Sequence, residues 1–222
     1  MKQDQDPQEH TKYFNSKGTE VPSCTNVVKL LNKPELVGWA NYMGFKRINS
    51  TQYLQQKAEY GTYCHEIAEA YLTGVVSMSD RLDSLISANE FNELISKLSY
   101  LSDKFCSMGI SILNTEMKMS GERFGGTLDL LTICRDLNKV ILFDFKTSKS
   151  VYDSHLIQLG GYSILLEELY GLHVTDVGVI LLSQQETNKK FINMLTREQN
   201  MINEQIFKKL LDIYWLKYMQ AE

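Results

Sequence analysis

Residues 124–147 read FGGTLDLLTICRDLNKVILFDFKT, and the fold turns on how this stretch is read. Two apolar runs, 124–134 and 139–147, flank RDLN, a group of turn residues, so the runs are expected to be antiparallel neighbouring strands. In KVILFDFK the side chains alternate: Val140, Leu142, Asp144 and Lys146 share one face, and Ile141, Phe143 and Phe145 share the other. Asp144 and Lys146 therefore point into the same space. Across the turn, Asp129 in TLDLLTI can lie opposite the Asp144 face. A buried charge without a partner is costly, and two carboxylates a few ångströms apart repel unless something cationic sits between them. Hard oxygen donors of this kind favour magnesium or manganese. Taken alone, a D-x-K triplet is more often a structural ion pair, here Asp144–Lys146 or Asp129–Lys146, so its meaning depends on its surroundings.

Working outward, SILNTEMKM (111–119) supplies a third strand behind the SGER turn, completing an antiparallel meander. Downstream, DSHLIQLGGYSILLEELY (153–170) has helical periodicity and closes at Gly171, after which VTDVGVILLS (174–183) is an apolar strand. A helix between two strands predicts a right-handed crossover. Upstream, residues 23–45 read as two short amphipathic helices, with Ser23 or Thr25 as N-cap and Pro34 opening the second. A longer helix is expected over 51–72, stopping near Gly74, and another over 89–108 from the spacing of Phe91, Leu94, Ile95, Leu98, Leu101 and Phe105.

The ends complete a single-domain plan. Residues 1–20 are polar and aperiodic and read as a flexible arm; residues 21–109 form a helical region and 110–195 the core. Residues 196–222 open with a capping box from Thr196 to Gln199, and Ile202, Ile206, Leu210, Ile213 and Leu216 lie on one face, predicting a terminal helix packed on the core.

With 43% apolar residues in 222, the chain has ample material for a packed core. No run approaches the 18 to 20 apolar residues of a membrane span, and MKQDQDPQEH lacks a signal-peptide stretch, so a cytoplasmic location is expected, bacterial or host-cell, with an organellar one left open. Cys24, Cys64, Cys106 and Cys134 form no C-x-x-C pair, which argues against a zinc knuckle or a disulfide framework. A net charge of −4 argues against a broad basic coat but allows one basic groove.

Context now separates the ion pair from the metal site. GGTLD, then FDFKTS, then QLGGY resemble the core motifs of the PD-(D/E)XK nuclease superfamily in its RecB-like exonuclease branch. GTYCHEIAEAYL is similar to that branch's histidine-bearing helix, Glu116 in NTEMKM falls where a glutamate opens the first core strand, and VPSCTNVVKLL with KPELVGWA resembles the lead-in of small stand-alone phage and mitochondrial exonucleases. The resemblance spans roughly residues 21–182. It implies an α/β fold with a restriction-endonuclease-like core, a mixed central sheet flanked by helices, and an N-terminal helical region.

It also implies chemistry: a magnesium- or manganese-dependent deoxyribonuclease, an exonuclease favouring single strands or ends, working in DNA replication, recombination or repair. Asp129 and Asp144 would be metal ligands with His65 and the Phe145 backbone carbonyl, and Lys146 would hold or help deprotonate the attacking water. Gln158 and Tyr162, at i and i+4, would support lysine and phosphate from one helix face. Glu116 and Glu69 are candidates to orient water or His65, and Thr147, Ser148 and Lys149 to touch phosphate. Trp39, Tyr42, Phe45 and Tyr53 are aromatics in the helical half, available for base stacking or for core packing.

Two departures narrow the expectation. No cysteine follows Cys134, so no iron–sulfur cluster is expected, and no G-x-x-x-x-G-K-[ST] loop occurs, so any unwinding would come from a partner such as a helicase, recombinase or single-strand-binding protein. The rival readings are a structure-selective or restriction-type endonuclease on the same core, and a non-catalytic DNA-binding module of a helicase–nuclease complex.

Overall fold

The meander forms one side of a five-stranded sheet, from its edge to its central strand. A computed structural model describes residues 11–31, 35–75, 86–182 and 191–219. In chain order its elements are β1 (Tyr13–Phe14), β2 (Glu20–Val21), α1 (Cys24–Val28), α2 (Glu35–Phe45), α3 (Ser50–Thr73), α4 (Ala88–Ser107), β3 (Ile110–Ser120), β4 (Gly125–Cys134), β5 (Lys139–Lys146), α5 (Asp153–Tyr170), β6 (Asp176–Leu181), β7 (Ile192–Thr196) and α6 (Arg197–Met219). A five-stranded sheet runs β3-β4-β5-β6-β7. All its neighbours are antiparallel except β5 and β6, which are parallel and joined through α5. The fold is α/β, a mixed sheet flanked by helices, with a helical region before it.

Local chemistry sets the boundaries. Ser23 caps α1 by accepting a hydrogen bond from the Asn26 amide at 3.0 Å, and Ser87 and Glu90 form a capping box at the start of α4. Gly74 and Gly171 take the left-handed conformation that ends α3 and α5. Pro34, expected to open the second helix, lies outside the described residues.

Alternation in β5 divides the interior into two cores. Leu142 packs with α1, α5 and α6 residues such as Val27, Leu165 and Phe207, while Ile141, Phe143 and Phe145 pack with Ile67, Leu98 and Leu101 of α3 and α4. The charged end of the sheet lies at the boundary of these layers.

Three sequence expectations are corrected. Part of the supposed arm is structured: Tyr13–Phe14 pairs with Glu20–Val21, Tyr13 packs on Gly125, where a Cβ would fall 2.4 Å from the ring, and its hydroxyl meets Thr127 Oγ1 at 2.9 Å. Strand β7 was not anticipated; INMLT alternates too weakly to stand out from its neighbours. Helix α6 does pack on the core, but by a different face. Ile202 and Leu216 are each 60% exposed, and Ile206 and Ile213 are exposed too, whereas Asn200, Asn203, Glu204, Phe207 and Leu211 are buried. The contact geometry explains the choice: Gly160 and Gly161 let α5 approach the Asn203 backbone and the Phe207 ring, where Cβ atoms would fall 2.7 Å away. Of the buried polar groups there, Asn200 Nδ2 donates to Ser163 Oγ at 2.9 Å and Arg197 pairs with Glu204, while Asn200 Oδ1 has no hydrogen-bond partner among the described residues.

Candidate active site

The β4–β5 register pairs Leu130 with Phe143, and continuing it by one residue sets Asp129 opposite Asp144. Asp129 Oδ2 accepts a hydrogen bond from the Phe145 amide at 2.6 Å, which fixes the carboxylate at the end of the sheet. Helix α3 buries Cys64, Ile67 and Ala68 against the second core and so presents His65 at its border. His65 Nδ1 lies 3.5 Å from Asp129 Oδ1 and 4.0 Å from Glu116 Oε1, with the imidazole set edge-on to the Phe145 ring at 5.8 Å.

Glu116 reaches this point by an unusual backbone. Its φ is +45°, the left-handed region, within a strand that already shifts register between Ile112 and Asn114. Such a conformation in a residue with a side chain costs on the order of 1–3 kcal/mol and persists only when neighbours impose it. One such neighbour is Glu69, whose Oε1 accepts from Thr115 Oγ1 at 3.1 Å and ties β3 to α3 beside Glu116. The result is a cluster in which donor atoms of His65, Glu116 and Asp129 all lie within 4.8 Å of one another.

Asp144 and Lys146 form the second half. Asp144 is 1% exposed, and Lys146 Nζ stands 2.6 Å from its Oδ2. That oxygen nonetheless receives no hydrogen bond of good geometry, so a buried carboxylate oxygen is left with a charge contact alone.

Titration follows from burial set against these charges. Burial pushes Asp144 up to about 6 although Lys146 pulls the other way, and burial with the nearby Asp129 charge pushes Glu116 up to about 7. For Asp129, burial would raise the carboxyl, but His65, Lys146 and the Phe145 amide overcome it and hold the pKa below the ordinary range. Burial would likewise lower His65 and Lys146; the carboxylates beside them reverse that, and both end above their usual values.

The remaining sequence candidates sort by position. Gln158 and Tyr162 do share a face of α5, where Gln158 Nε2 donates to Tyr162 Oη at 2.6 Å and to Thr25 Oγ1 at 3.2 Å. Tyr162 is buried against Gly126, where a Cβ would fall 2.6 Å from its ring. The pair thus bridges α1, α5 and β4 beneath the carboxylates. Thr147 sits opposite Gly61 of α3, the Ser148 hydroxyl donates to the Ser150 carbonyl at 2.7 Å, and Lys149 is exposed on the same loop. Phe145 donates its amide hydrogen to Asp129, so its backbone reaches the same point as the carboxylates.

The donor set fits a hard divalent cation. Octahedral coordination at about 2.1 Å puts adjacent donors about 3 Å apart and opposite donors about 4.2 Å apart. The 4.0 Å separation from His65 Nδ1 to Glu116 Oε1 is near the second value, and the 3.5 Å separation to Asp129 Oδ1 would have to close by about half an ångström to reach the first. The sequence anticipated His65 and Asp129 as ligands and left Glu116 as an accessory; the structure puts Glu116 with them and sets Asp144 against Lys146. The sequence marks Glu116 only through the resemblance of NTEMKM, and it is the left-handed backbone there that brings its carboxylate to His65.

No protein-family model and no curated protein sequence matches the chain. Among solved structures, one that is similar is a phage related exonuclease from Haemophilus somnus 129PT, 11% identical over 90% of this chain and 96% of that one, with a TM-score of 0.36. Among the described residues, no helix is long and apolar enough to cross a membrane.

Proposed function

We propose that the chain is a magnesium- or manganese-dependent deoxyribonuclease of the PD-(D/E)XK type, an exonuclease that hydrolyses phosphodiester bonds at ends or on single strands in DNA replication, recombination or repair. The observation that carries this reading is the convergence of His65, Glu116 and Asp129 donor atoms within 4.8 Å, beside the buried Asp144–Lys146 pair. A structural ion pair accounts for Asp144 and Lys146 but not for a histidine and two further carboxylates brought to the same point from α3, β3 and β4.

His65, Glu116 and Asp129 would hold the cation, with Asp144 facing it from β5. A bound divalent ion supplies positive charge next to the phosphate and makes nearby water more acidic. The Phe145 amide holds Asp129 in one orientation, so the ligand is positioned before substrate arrives. Lys146 offers a fixed ammonium whose charge matches the negative charge that grows on the phosphate oxygens during displacement. Gln158 and Tyr162, bonded to each other and to Thr25, keep α5 rigid behind that lysine.

The test is direct. End-labelled linear and closed circular DNA, single- and double-stranded, are incubated with the purified chain in magnesium, manganese or chelator. Digestion of linear DNA alone, only with metal, supports the proposal; cleavage of circles moves it to an endonuclease, and binding without products to a non-catalytic module.

A further inference from the structure

Helix α3 carries a second pattern that the metal cluster does not use. Tyr53, Lys57, Gly61 and His65 repeat every fourth residue and so lie along one side of the helix, about 18 Å from end to end at 1.5 Å per residue. At the far end, Tyr53 meets Trp39 of α2 with ring centroids 5.9 Å apart. Lys57 places its ammonium over both Tyr53, at 5.8 Å, and Tyr60, at 5.4 Å. Beside them, Lys46 sits over Tyr42 at 5.7 Å, and exposed Arg47 follows in a left-handed turn.

Much of this aromatic surface is open. Phe45 is 89% exposed and Tyr42 57%, and Tyr53 is exposed as well, so these rings are not explained by a core. The strip also runs to the candidate site rather than past it. At Gly61 a Cβ would come within 3.3 Å of Thr147 Oγ1, in the loop that leaves Lys146, and the next member of the row is His65. Of the acidic side chains nearby, Glu59 is bonded by Gln55 on the opposite side of α3; Glu90 is close enough to Lys57 for their charges to interact, but its carboxylate is already held by the Ser87 amide and hydroxyl at 3.0 and 2.6 Å.

We infer that the α2–α3 strip is a binding track for single-stranded nucleic acid, with bases stacking on Tyr53, Trp39, Tyr42 and Phe45 and phosphates neutralised by Lys46, Arg47 and Lys57. Rings interleaved with ammonium and guanidinium groups match the alternation of base and phosphate, and only unpaired bases expose the faces that stacking needs. The charge complements a polyanion, which an apolar protein partner would not require. The inference deepens the nuclease reading, because it supplies that site with a single strand delivered along α3.

The experiment measures binding apart from cleavage. Fluorescence anisotropy of a labelled 20-nucleotide oligothymidylate, in chelator, is followed for the parent chain and for Tyr53→Ala, Tyr53→Phe and Lys57→Ala, with Tyr170→Ala at the end of α5 as a distant control. Tyr53→Ala should weaken binding by about 5- to 150-fold, the range of one lost base stack, while Tyr53→Phe keeps it. Lys57→Ala should reduce the salt slope by about 0.7, the value for one phosphate on a single strand. Circular dichroism establishes that each variant folds, and the Phe variant decides the matter if Tyr53→Ala does not. Parent-like binding by Tyr53→Ala and Lys57→Ala, or no binding by the parent, overturns the track. The outcomes separate the two ideas: cleavage with parent-like variants leaves a nuclease without this track, and weakened variants without any cleavage leave the track without a nuclease.

Discussion

Lys146→Ala removes the ammonium that stands 2.6 Å from Asp144 Oδ2 and leaves a carboxylate that is 1% exposed. Breaking a buried pair by deleting one partner costs about 3–5 kcal/mol, because the remaining charge keeps its desolvation penalty. For a chain of this length each kcal/mol corresponds to roughly 2–4 °C, so the melting temperature should fall by roughly 6–20 °C at neutral pH. Protonation limits the loss. Asp144 sits at about 6 even with the lysine present, and without it the carboxyl moves higher still. A folded-state pKa above the unfolded one contributes stability that is present below the unfolded value and is lost as pH rises through the folded value. The deficit of the variant should therefore be smallest near pH 4 to 5 and widen through pH 6 to 8, and Asp144→Asn in the same chain should recover most of it.

Chemistry must be read separately from this stability change. If Lys146 stabilises charge on the phosphate, single-turnover cleavage per folded molecule should drop by about two to four orders of magnitude, in line with loss of one electrostatic or acid–base group. Scanning calorimetry across pH, together with quench-flow cleavage of a linear oligonucleotide in manganese, measures both. A lowered melting temperature with an undiminished rate per folded molecule would refute the catalytic role and leave a structural ion pair.

Further expectations concern the cation and the packing beneath it. Manganese should raise the melting temperature, by about 2.7 kcal/mol of stabilisation at one hundred times its dissociation constant; the effect should grow from pH 6 to 8 as Glu116, at about 7, and Asp144, at about 6, release the protons that compete with it. A shift that is flat with pH, or cleavage in verified absence of metal, counts against the site. His65→Ala should weaken manganese binding by about tenfold or more, as loss of a ligand or its support does, with the fold retained by circular dichroism; unchanged affinity in calorimetric titration would make His65 structural. Gly161→Ala should destabilise by about 1–3 kcal/mol, the usual cost of overpacking, because its methyl meets the Phe207 ring at 2.7 Å; an unaltered melting temperature would argue against the close α5–α6 contact.

Where a residue's environment is set by its own neighbours in sequence, the text was legible. The alternation of KVILFDFK placed Leu142 in one core and Phe143 and Phe145 in the other, and α5 begins at Asp153 and closes at Gly171 as its periodicity and terminal glycine imply. What the sequence concealed depends on partners far along the chain. Helix α6 carries two faces that each look able to pack, and the glycines of α5 select the one bearing Asn200, Asn203 and Phe207. Tyr13 packs where Gly125, more than a hundred residues later, leaves room for its ring. Glu116 belongs to the same class. Its residue type suggested an accessory, whereas its left-handed backbone, braced through Thr115 and Glu69, aims it at His65.

That bracing bears on why the cluster survives folding at all. Four ionisable side chains, His65, Asp129, Asp144 and Lys146, are gathered where both cores end, and a charged set so placed would ordinarily be replaced by apolar residues at a gain in stability. Here each carboxylate is held by specific partners: Asp129 by α3 through His65 and by the β5 amide of Phe145, Asp144 by its strand neighbour Lys146. The opposing charges leave Asp129 ionised under burial that would otherwise protonate it, while Asp144 and Glu116 are pushed toward neutrality. An arrangement serving stability alone would pair its carboxylates fully. One that leaves Asp144 Oδ2 with the Lys146 charge alone and strains the backbone at Glu116 is in keeping with the proposed cation site.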